Sequence, residues 1–132
     1  MRPIPPGTKG SFTLVVTPAQ LASQFKDATL PPVLATPVMI MAMENAALNA
    51  IRPFLEPGET ALGTAVDVQH VAATPVGQHV RAEAEVTAVE GRRVEFAVSA
   101  SDESEEIGRG THQRVIVDYA RIERHLAAKQ KP

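Results

Sequence analysis

The sequence predicts an α+β fold in which a curved antiparallel sheet wraps around one long central helix. Two observations support this fold class. Residues 36–52 are apolar on almost every side and lie between helix start and stop signals, as in a helix that is buried on most of its surface. From residue 60 onward, apolar and polar residues alternate with a period of two, which is typical of strands with one packed face and one solvated face. One apolar helix followed by such strands is an α+β arrangement.

Length and composition indicate one domain, residues 1–132, with a single core. A hydrophobic content of 44% and a charged content of 21% are ordinary for a globular protein. The net charge of −2 offers no electrostatic footprint for nucleic acid or for an anionic membrane, so we expect neither as a partner. The chain has no cysteine, and its first residues lack the apolar run of a signal peptide, so we expect a cytoplasmic location.

The central helix is predicted to start at Thr36. We expect Thr36 to be the N-cap, with its hydroxyl accepting a hydrogen bond from a free backbone N–H, while Pro37 suits the first helical position. Pro53 ends the helix. At the midpoint of this apolar segment lies a carboxylate, that of Glu44. Because a buried ionised carboxylate is costly unless it is paired, Glu44 is the first candidate for a functional residue.

Two short elements and a loop precede the central helix. Residues 11–16 alternate weakly and are predicted to form a strand, and residues 17–25 are predicted to form a short helix. Residues 26–35 contain Pro31-Pro32 and read as a loop that leads directly into the central helix. We expect this loop to cover whatever the central helix presents.

The segment after the helix is predicted to form four strands in a meander, over residues 60–70, 79–89, 93–100 and 107–117. The face of the first strand that should meet the helix carries Leu62, Thr64, Val66, Val68 and His70. His70 therefore lies on the core side, where this strand ends. Many inward residues are alanines, so the helix can approach the sheet closely. A C-terminal helix capped by Asp118 presents one apolar face, made of Tyr119, Ile122 and Leu126.

Five stretches of the sequence are similar to a known family: A-T-P-V-M-I-M-A-M-E-N-A-A, F-L-E-P-G-E-T-A-L-G-T, H-V-A-A-T-P-V-G, V-E-G-R-R-V-E-F and I-G-R-G-T-H-Q-R. In order and spacing, over residues 36–118, they resemble the thioesterases related to fluoroacetyl-CoA thioesterase. The resemblance implies the hotdog fold, in which a curved antiparallel sheet wraps one helix. It also implies a catalytic set, matching Thr36, Glu44 and His70, and two residues that line the substrate site, matching Gly63 and Arg114.

Residues 17–35 depart from the pattern of that family. Where the fluoroacetyl-specific enzyme has an aromatic-gated lid, this chain has only Phe25 and the Pro31-Pro32 loop. The resemblance therefore implies thioester hydrolysis without identifying the acyl group.

The residue types in this set suit thioester hydrolysis. Thr36 lies where a helix N-terminus can polarise a thioester carbonyl, and Glu44 suits a general base or a carboxylate nucleophile. His70 suits proton transfer, because the ordinary pKa of histidine is about 6.5. Glu44 lies about 12 Å from Thr36 along the helix, so a long substrate or a second subunit must bridge the two.

Structural roles for the same residues remain open at this point. Thr36 can be a simple helix cap, and Glu44 can form an ion pair with a buried arginine. His70 can be a hydrogen-bonded structural residue, and Arg114 can be an outward-facing charge. His79, His112 and His125 show no partner pattern in the sequence, and no metal-ligand spacing is present.

The sequence thus predicts a homodimeric acyl-CoA thioesterase that hydrolyses a small or medium acyl-CoA to the free acid and CoA. We expect no metal and no cofactor other than the CoA of the substrate, whose phosphates would lie near Arg92 or Arg93. The dimer is expected because a sheet of this size has an exposed edge that must be covered or paired. The alternative is a non-catalytic module of the same fold that binds an acyl-CoA or a small acid. A hydratase of the same fold class is a weaker third possibility, because its usual Asp/His pairing is not at the positions where it would be needed.

Overall fold

The computed structural model describes residues 1–130, which form five strands and three α-helices. Within this part of the chain, no helix has the length and the apolar character needed to cross a membrane. The strands are β1 Lys9–Val15, β2 Glu59–His70, β3 His79–Glu90, β4 Arg93–Ser101 and β5 Glu106–Asp118. The helices are α1 Ala22–Phe25, α2 Thr36–Ile51 and α3 Tyr119–Lys129, and 3₁₀ turns occur at Pro18–Gln20 and Arg52–Phe54.

All five strands join one antiparallel sheet in the order β1-β3-β4-β5-β2. This confirms the α+β class, but the predicted meander of four strands is wrong, because β2 pairs with β5 and not with β3. Short turns join β3, β4 and β5 as hairpins, one of them at Gly91 with a positive φ of 62°. The connection 71–78 is longer, and the Thr74 hydroxyl anchors it by donating to the Asp102 carboxylate at 2.8 Å. Strands β1 and β2 are therefore the two edges of the sheet.

Helix α2 packs on one face of the sheet, chiefly against β1 and β3. Its buried residues are apolar: Val38, Met39, Ala42, Met43, Ala46, Ala47, Ala50 and Ile51. The closest approach is at Gly10 of β1, where an added Cβ would lie 2.4 Å from both the Ala46 carbonyl oxygen and the Ala50 nitrogen. No side chain fits there, so glycine is required at this position. The predicted close approach of helix and sheet is confirmed.

The predicted inner face of β2 is correct in only one half of the strand. The pairing with β5 shifts by one residue between Gly63 and Ala65, and this extra residue reverses the alternation of side chains. Before the shift, Gly63 faces α2, whereas Leu62, which was predicted to face it, is 41% exposed. Thr64 was also predicted inward and is exposed. After the shift, His70 lies on the helix side as predicted.

The start of α2 also differs from the prediction. Ala35 is the N-cap, because its carbonyl accepts hydrogen bonds from the N–H groups of Val38 and Met39 at 3.0 and 3.3 Å. Thr36 is the first helical residue, and its hydroxyl caps no backbone N–H. The prediction of Thr36 as the N-cap is therefore wrong, and its side chain is available for another partner.

The two smaller helical regions follow the predictions in part. The predicted helix over residues 17–25 is interrupted at Leu21, where the backbone is extended, and so consists of a 3₁₀ turn followed by the single turn α1. Asp118 is the N-cap residue of α3, although its side chain makes no capping hydrogen bond. No residue of α3 is buried, and its predicted apolar face, with Tyr119 and Leu126 more than half exposed, has no partner within residues 1–130.

Candidate active site

Thr36 and His70 form a hydrogen-bonded pair where the start of α2 meets the end of β2. Oγ1 of Thr36 lies 2.8 Å from Nδ1 of His70, although 34 positions separate the two residues. The Thr36 hydroxyl can make this bond because it does not cap the helix. The other ring nitrogen of His70, Nε2, is buried and has no hydrogen-bond partner in the described part of the chain. The pair therefore combines a hydroxyl, an adjacent base and a ring nitrogen that no other group within residues 1–130 engages.

The surroundings of His70 favour its neutral form. Burial of the ring lowers the pKa of His70 below its usual value, and a weaker backbone interaction with Ala72 opposes this shift. A neutral imidazole can accept the Thr36 hydroxyl proton at Nδ1. At neutral pH the pair thus has the form of a hydroxyl with its base, which is the arrangement that activates a hydroxyl or positions water in acyl transfer.

A groove with a volume of about 360 Å³ opens beside this pair. One wall comes from the segment before α2, with Lys26, Leu30 and Pro31 among its residues, and the other from the segment that follows β2, which includes Val71. The loop over residues 26–35 therefore lies beside the start of α2, as expected. The groove gives a ligand direct access to Thr36 and His70.

A second group of polar residues lies further along α2, around Gly63 of β2. A Cβ added to Gly63 would lie 3.0 Å from Oε2 of Glu44, 3.3 Å from Cε1 of His112 and 3.8 Å from Nη1 of Arg114. Gly63 and Arg114 are also partners in the β2–β5 pairing. The missing side chain of Gly63 therefore provides the space in which a carboxylate, an imidazole and a guanidinium meet.

Arg114 points toward the helix, so the possibility of an outward-facing charge is wrong. The residue is only 9% exposed. Its Nη2 donates to the Ala61 carbonyl at 2.8 Å, and its Nη1 donates to the backbone carbonyl of Glu44 at 3.3 Å and to Nε2 of His112 at 3.2 Å. Burial lowers the pKa of Arg114, and the Glu44 carboxylate opposes this shift. The guanidinium remains a cation, because its pKa is far above neutral pH.

The side chain of Glu44 is half-buried and forms no ion pair with any residue in the range 1–130. Arg114 bonds to the Glu44 backbone carbonyl instead of its carboxylate. The possibility that Glu44 serves only as the partner of a buried arginine is therefore wrong. An unpaired carboxylate at this position is available for chemistry or for a ligand.

His112 belongs to this second group and was missed in the sequence analysis. It is 3% exposed, and its ring stacks on Phe96 with centroids 5.8 Å apart. Its Nδ1 lies 2.8 Å from the Ala65 carbonyl oxygen. Burial lowers the pKa of His112, the Ala65 bond raises it, the charge of Arg114 lowers it and that of Glu44 raises it. The signal that could have identified His112 is its position two residues before Arg114, which places both side chains on one face of a strand.

A single chain does not bring the predicted catalytic set together. Thr36 and His70 are in contact, and Glu44 lies with Gly63 and Arg114, but the two groups are separate. Thr36 and Glu44 are eight residues apart on one helix, which corresponds to about 12 Å. His70 and Gly63 are seven residues apart on one strand, which corresponds to about 23 Å.

Comparison with known proteins agrees with this architecture. The family model described as fluoroacetyl-CoA-specific thioesterase matches residues 16–120. The fluoroacetyl-CoA thioesterase of Streptantibioticus cattleyicolor is 51% identical over 90 residues, which are 68% of this chain and 65% of that protein. The matched region thus spans slightly less than two thirds of the length of that relative.

Solved structures give the same result over nearly the whole chain. The crystal structure of the fluoroacetyl-CoA thioesterase FlK matches with a TM-score of 0.91 and 38% identity, covering 98% of this chain and 99% of that one. A thioesterase superfamily member from Thermus thermophilus matches with a TM-score of 0.91 and 36% identity, covering 98% and 96% of the two chains. A hot-dog-like protein from Thermanaerovibrio acidaminovorans, at 22% identity and a TM-score of 0.87, shares the fold. The hotdog fold is confirmed, and the chain belongs to the family of fluoroacetyl-CoA-specific thioesterases.

Proposed function

We propose that the protein is a homodimeric acyl-CoA thioesterase that hydrolyses a small or medium acyl-CoA to the free acid and CoA, with Thr36, Glu44 and His70 as its catalytic residues. Membership of a thioesterase family supports thioester hydrolysis. The observation that carries the proposal is the 2.8 Å hydrogen bond between Thr36 Oγ1 and His70 Nδ1 on the wall of an open groove. Hydrolysis of a thioester consumes only water, so the reaction requires no cofactor.

Ligands of the relatives support this class of substrate. One variant of FlK has been crystallised with fluoroacetate and CoA, and another variant has been crystallised with acetyl-CoA. We infer a small acyl group on CoA for this chain as well. We do not infer selectivity for fluoroacetyl-CoA. The segment 17–35 contains one aromatic residue, Phe25, and this residue is 54% exposed.

Thr36 and His70 act on the thioester itself. With the carbonyl at the N-terminus of α2, the helix dipole stabilises the negative charge that develops on oxygen. The Thr36 hydroxyl, held by His70, positions the attacking water or the acyl group. As the new C–O bond forms, His70 takes up the proton that the attacking water loses, directly or by way of Glu44. As the C–S bond breaks, the resulting imidazolium passes this proton to the departing thiolate, and CoA leaves as a free thiol.

Glu44 supplies the second half of the chemistry. Its carboxylate either removes a proton from the attacking water or attacks the carbonyl itself, forming an acyl anhydride that water then opens. Gly63 leaves space beside this carboxylate, and Arg114 places a positive charge nearby. Both residues therefore line the end of the site that receives the acyl group.

The site is completed by a second copy of the chain. Strand β2 is a 12-residue edge strand, and it carries Leu62 and Val66 at 41% and 40% exposure. An apolar, unpaired edge of this length favours pairing with another strand. Antiparallel pairing of two β2 strands about a twofold axis places the His70 end of one copy beside the Gly63 half of the other. The Thr36–His70 pair of one copy then faces the Glu44 of its partner.

The proposal is tested by measuring thiol release from a panel of short and medium acyl-CoAs. The wild type is expected to turn over at least one of them, and Glu44→Gln and His70→Asn are expected to lose most of that activity. Glu83→Gln, which changes an exposed carboxylate on the other face of the sheet, is the control and should behave as the wild type. Saturable binding of an acyl-CoA without thiol release would show a non-catalytic binding protein instead. Undiminished rates in Glu44→Gln and His70→Asn would overturn the assigned residues.

A further inference from the structure

We propose that His112 is a positioning residue for the thioesterase reaction, whose neutral imidazole holds the Arg114 guanidinium away from the Glu44 carboxylate. This inference rests on the proposed function. His112 is not part of the catalytic set implied by the family resemblance. It acts through Arg114, which it contacts directly at 3.2 Å.

The contacts of His112 define its protonation state. Nη1 of Arg114 is a donor at every accessible pH, so the facing Nε2 of His112 must be the acceptor. The proton therefore lies on Nδ1, where it is donated to the Ala65 carbonyl at 2.8 Å. Only the neutral Nδ1–H tautomer satisfies both bonds. A protonated His112 would place a second cation against the guanidinium, while Glu44 is the one carboxylate of residues 1–130 that lies beside both groups.

The Arg114 guanidinium must be held in place because the Glu44 carboxylate, a stronger hydrogen-bond acceptor than its present partners, is close. Nη1 of Arg114 and Oε2 of Glu44 both lie within 3.8 Å of the same point beside Gly63, yet they form no ion pair. A charge-assisted hydrogen bond to a carboxylate is about twice as strong as a bond to a neutral acceptor. The guanidinium would therefore turn toward Glu44 if its neutral acceptors did not hold it.

Two of the three neutral acceptors are backbone carbonyls, of Ala61 and Glu44, and only His112 contributes a side chain. The ring of His112 is immobilised between Phe96 and the Ala65 carbonyl. Held in this way, Arg114 leaves the Glu44 carboxylate free for the reaction. The Nε of Arg114 is buried and has no hydrogen-bond partner within residues 1–130.

Two conservative substitutions separate the bond to Arg114 from the bond to Ala65. His112→Asn places an amide nitrogen near the position of Nδ1, which keeps the bond to the Ala65 carbonyl but removes the acceptor for Arg114. His112→Gln places an amide oxygen near the position of Nε2, which keeps that acceptor and loses the bond to Ala65. We expect kcat to fall by about 30-fold in His112→Asn, with little change in KM, and to remain within about threefold in His112→Gln. A purely structural role would reverse this order or make the two variants equal.

A second variant shows whether the effect passes through Arg114. In an Arg114→Met background, His112→Asn is expected to change kcat by less than about twofold, because the bond it removes is already absent. An equal loss with and without Arg114, or full activity in His112→Asn, would overturn the proposal. Absence of thiol release from the wild type would instead refute the proposed function, and with it any role of His112 in the reaction.

The tautomer can be measured independently of activity. Nitrogen NMR of histidine-labelled wild-type protein at pH 7 is expected to show His112 neutral, with the proton on Nδ1 and a lone pair on Nε2. In Arg114→Met the Nε2 signal is expected to shift, because its hydrogen bond is lost. A cationic ring, or a proton on Nε2, would overturn the assignment even if every variant proved difficult to assay.

Discussion

The Thr36 hydroxyl lies 2.8 Å from Nδ1 of His70, and this bond exists because Thr36 is not the cap of its helix. Ala35 takes the N-cap position with no side-chain group to satisfy a backbone N–H. A threonine at the N-cap would contribute about 1 kcal/mol to helix stability. Because Thr36 lies one residue after the N-cap, the helix lacks this contribution. In exchange, the hydroxyl is held by an imidazole at the mouth of a groove. The arrangement favours chemistry at the helix start over stability.

Replacement of Thr36 by valine tests whether the hydroxyl serves the reaction more than the stability of the protein. Thr36→Val keeps the shape of the side chain and removes the hydroxyl, so we expect kcat for thioester hydrolysis to fall by about 100-fold. Stability is expected to fall by only about 1 kcal/mol, from the unpaired Nδ1 of His70. Thr36→Ser should retain the hydrogen bond and most of the activity. Thiol release and thermal unfolding measure the two effects, with the exposed Thr13→Val as control. A variant that is destabilised but fully active would contradict the assignment.

Activity should decline in acid because of His70. Burial lowers the pKa of His70, so its neutral form persists below the usual value of about 6.5 and is lost as the pH falls through the lowered pKa. We therefore expect kcat/KM to be constant above pH 7 and to fall with an acid limb centred below about 6.5. The profile is measured between pH 4.5 and 8 on a substrate that the wild type hydrolyses. Activity that rises toward pH 5 would show that the protonated imidazole is the active form.

The same shifts make folding stability depend on pH. His70 and His112 both have a pKa that is lowered in the folded protein, so the unfolded chain binds more protons. Their contribution to stability is complete above the unfolded pKa of about 6.5 and is lost as the pH falls from there toward the folded pKa values. We expect the urea midpoint to drop between pH 7 and pH 5, and to drop less in His112→Gln. An equal drop in wild type and variant would show that other groups control acid stability.

Replacement of Gly63 by alanine should reduce activity more than it reduces folding stability. A Cβ at this position would lie 3.0 Å from Oε2 of Glu44, so the carboxylate must move by a few tenths of an ångström in Gly63→Ala. Because the end of a flexible side chain can move, the protein should fold, while the displaced carboxylate should lower kcat by about tenfold. Gly10→Ala is the contrasting variant, since its Cβ would meet backbone atoms of α2 at 2.4 Å and should destabilise the fold by about 3 kcal/mol or more. Steady-state kinetics and urea unfolding of both variants make the comparison.

Most of the fold could be predicted from the sequence because burial on one side imposes a period of two on each strand. Residues such as Val94, Phe96 and Val98 were placed correctly on this basis. The order of the strands could not be predicted, since the pairing of β2 with β5 depends on contacts between distant segments. The extra residue at Thr64 was also invisible, because nothing in a strand of alternating residues marks where a register shift occurs.

Only part of the candidate site could be predicted from the sequence, again because some of its contacts join distant segments. Glu44 could be identified as a carboxylate within an apolar helix, and the resemblance to a family identified its companions. The bond between Thr36 and His70 could not be predicted, because the expected capping role assigned the hydroxyl to another partner. His112 was missed because its partners, Arg114 and the Ala65 carbonyl, come together only through the shifted pairing of β2 and β5.

Mixing two inactive variants tests whether the site is shared between two copies of the chain. A Glu44→Gln subunit keeps His70, and a His70→Asn subunit keeps Glu44, so a mixed dimer contains one site with both residues intact and one with neither. With random exchange of subunits, the mixture should recover about a quarter of the wild-type activity, whereas each variant alone remains inactive. The measurement is thiol release after the two proteins are mixed, unfolded and refolded together, with each variant refolded alone as control. No recovery would place the whole site within one chain, and a stable monomer in sedimentation at micromolar concentration would agree with that outcome.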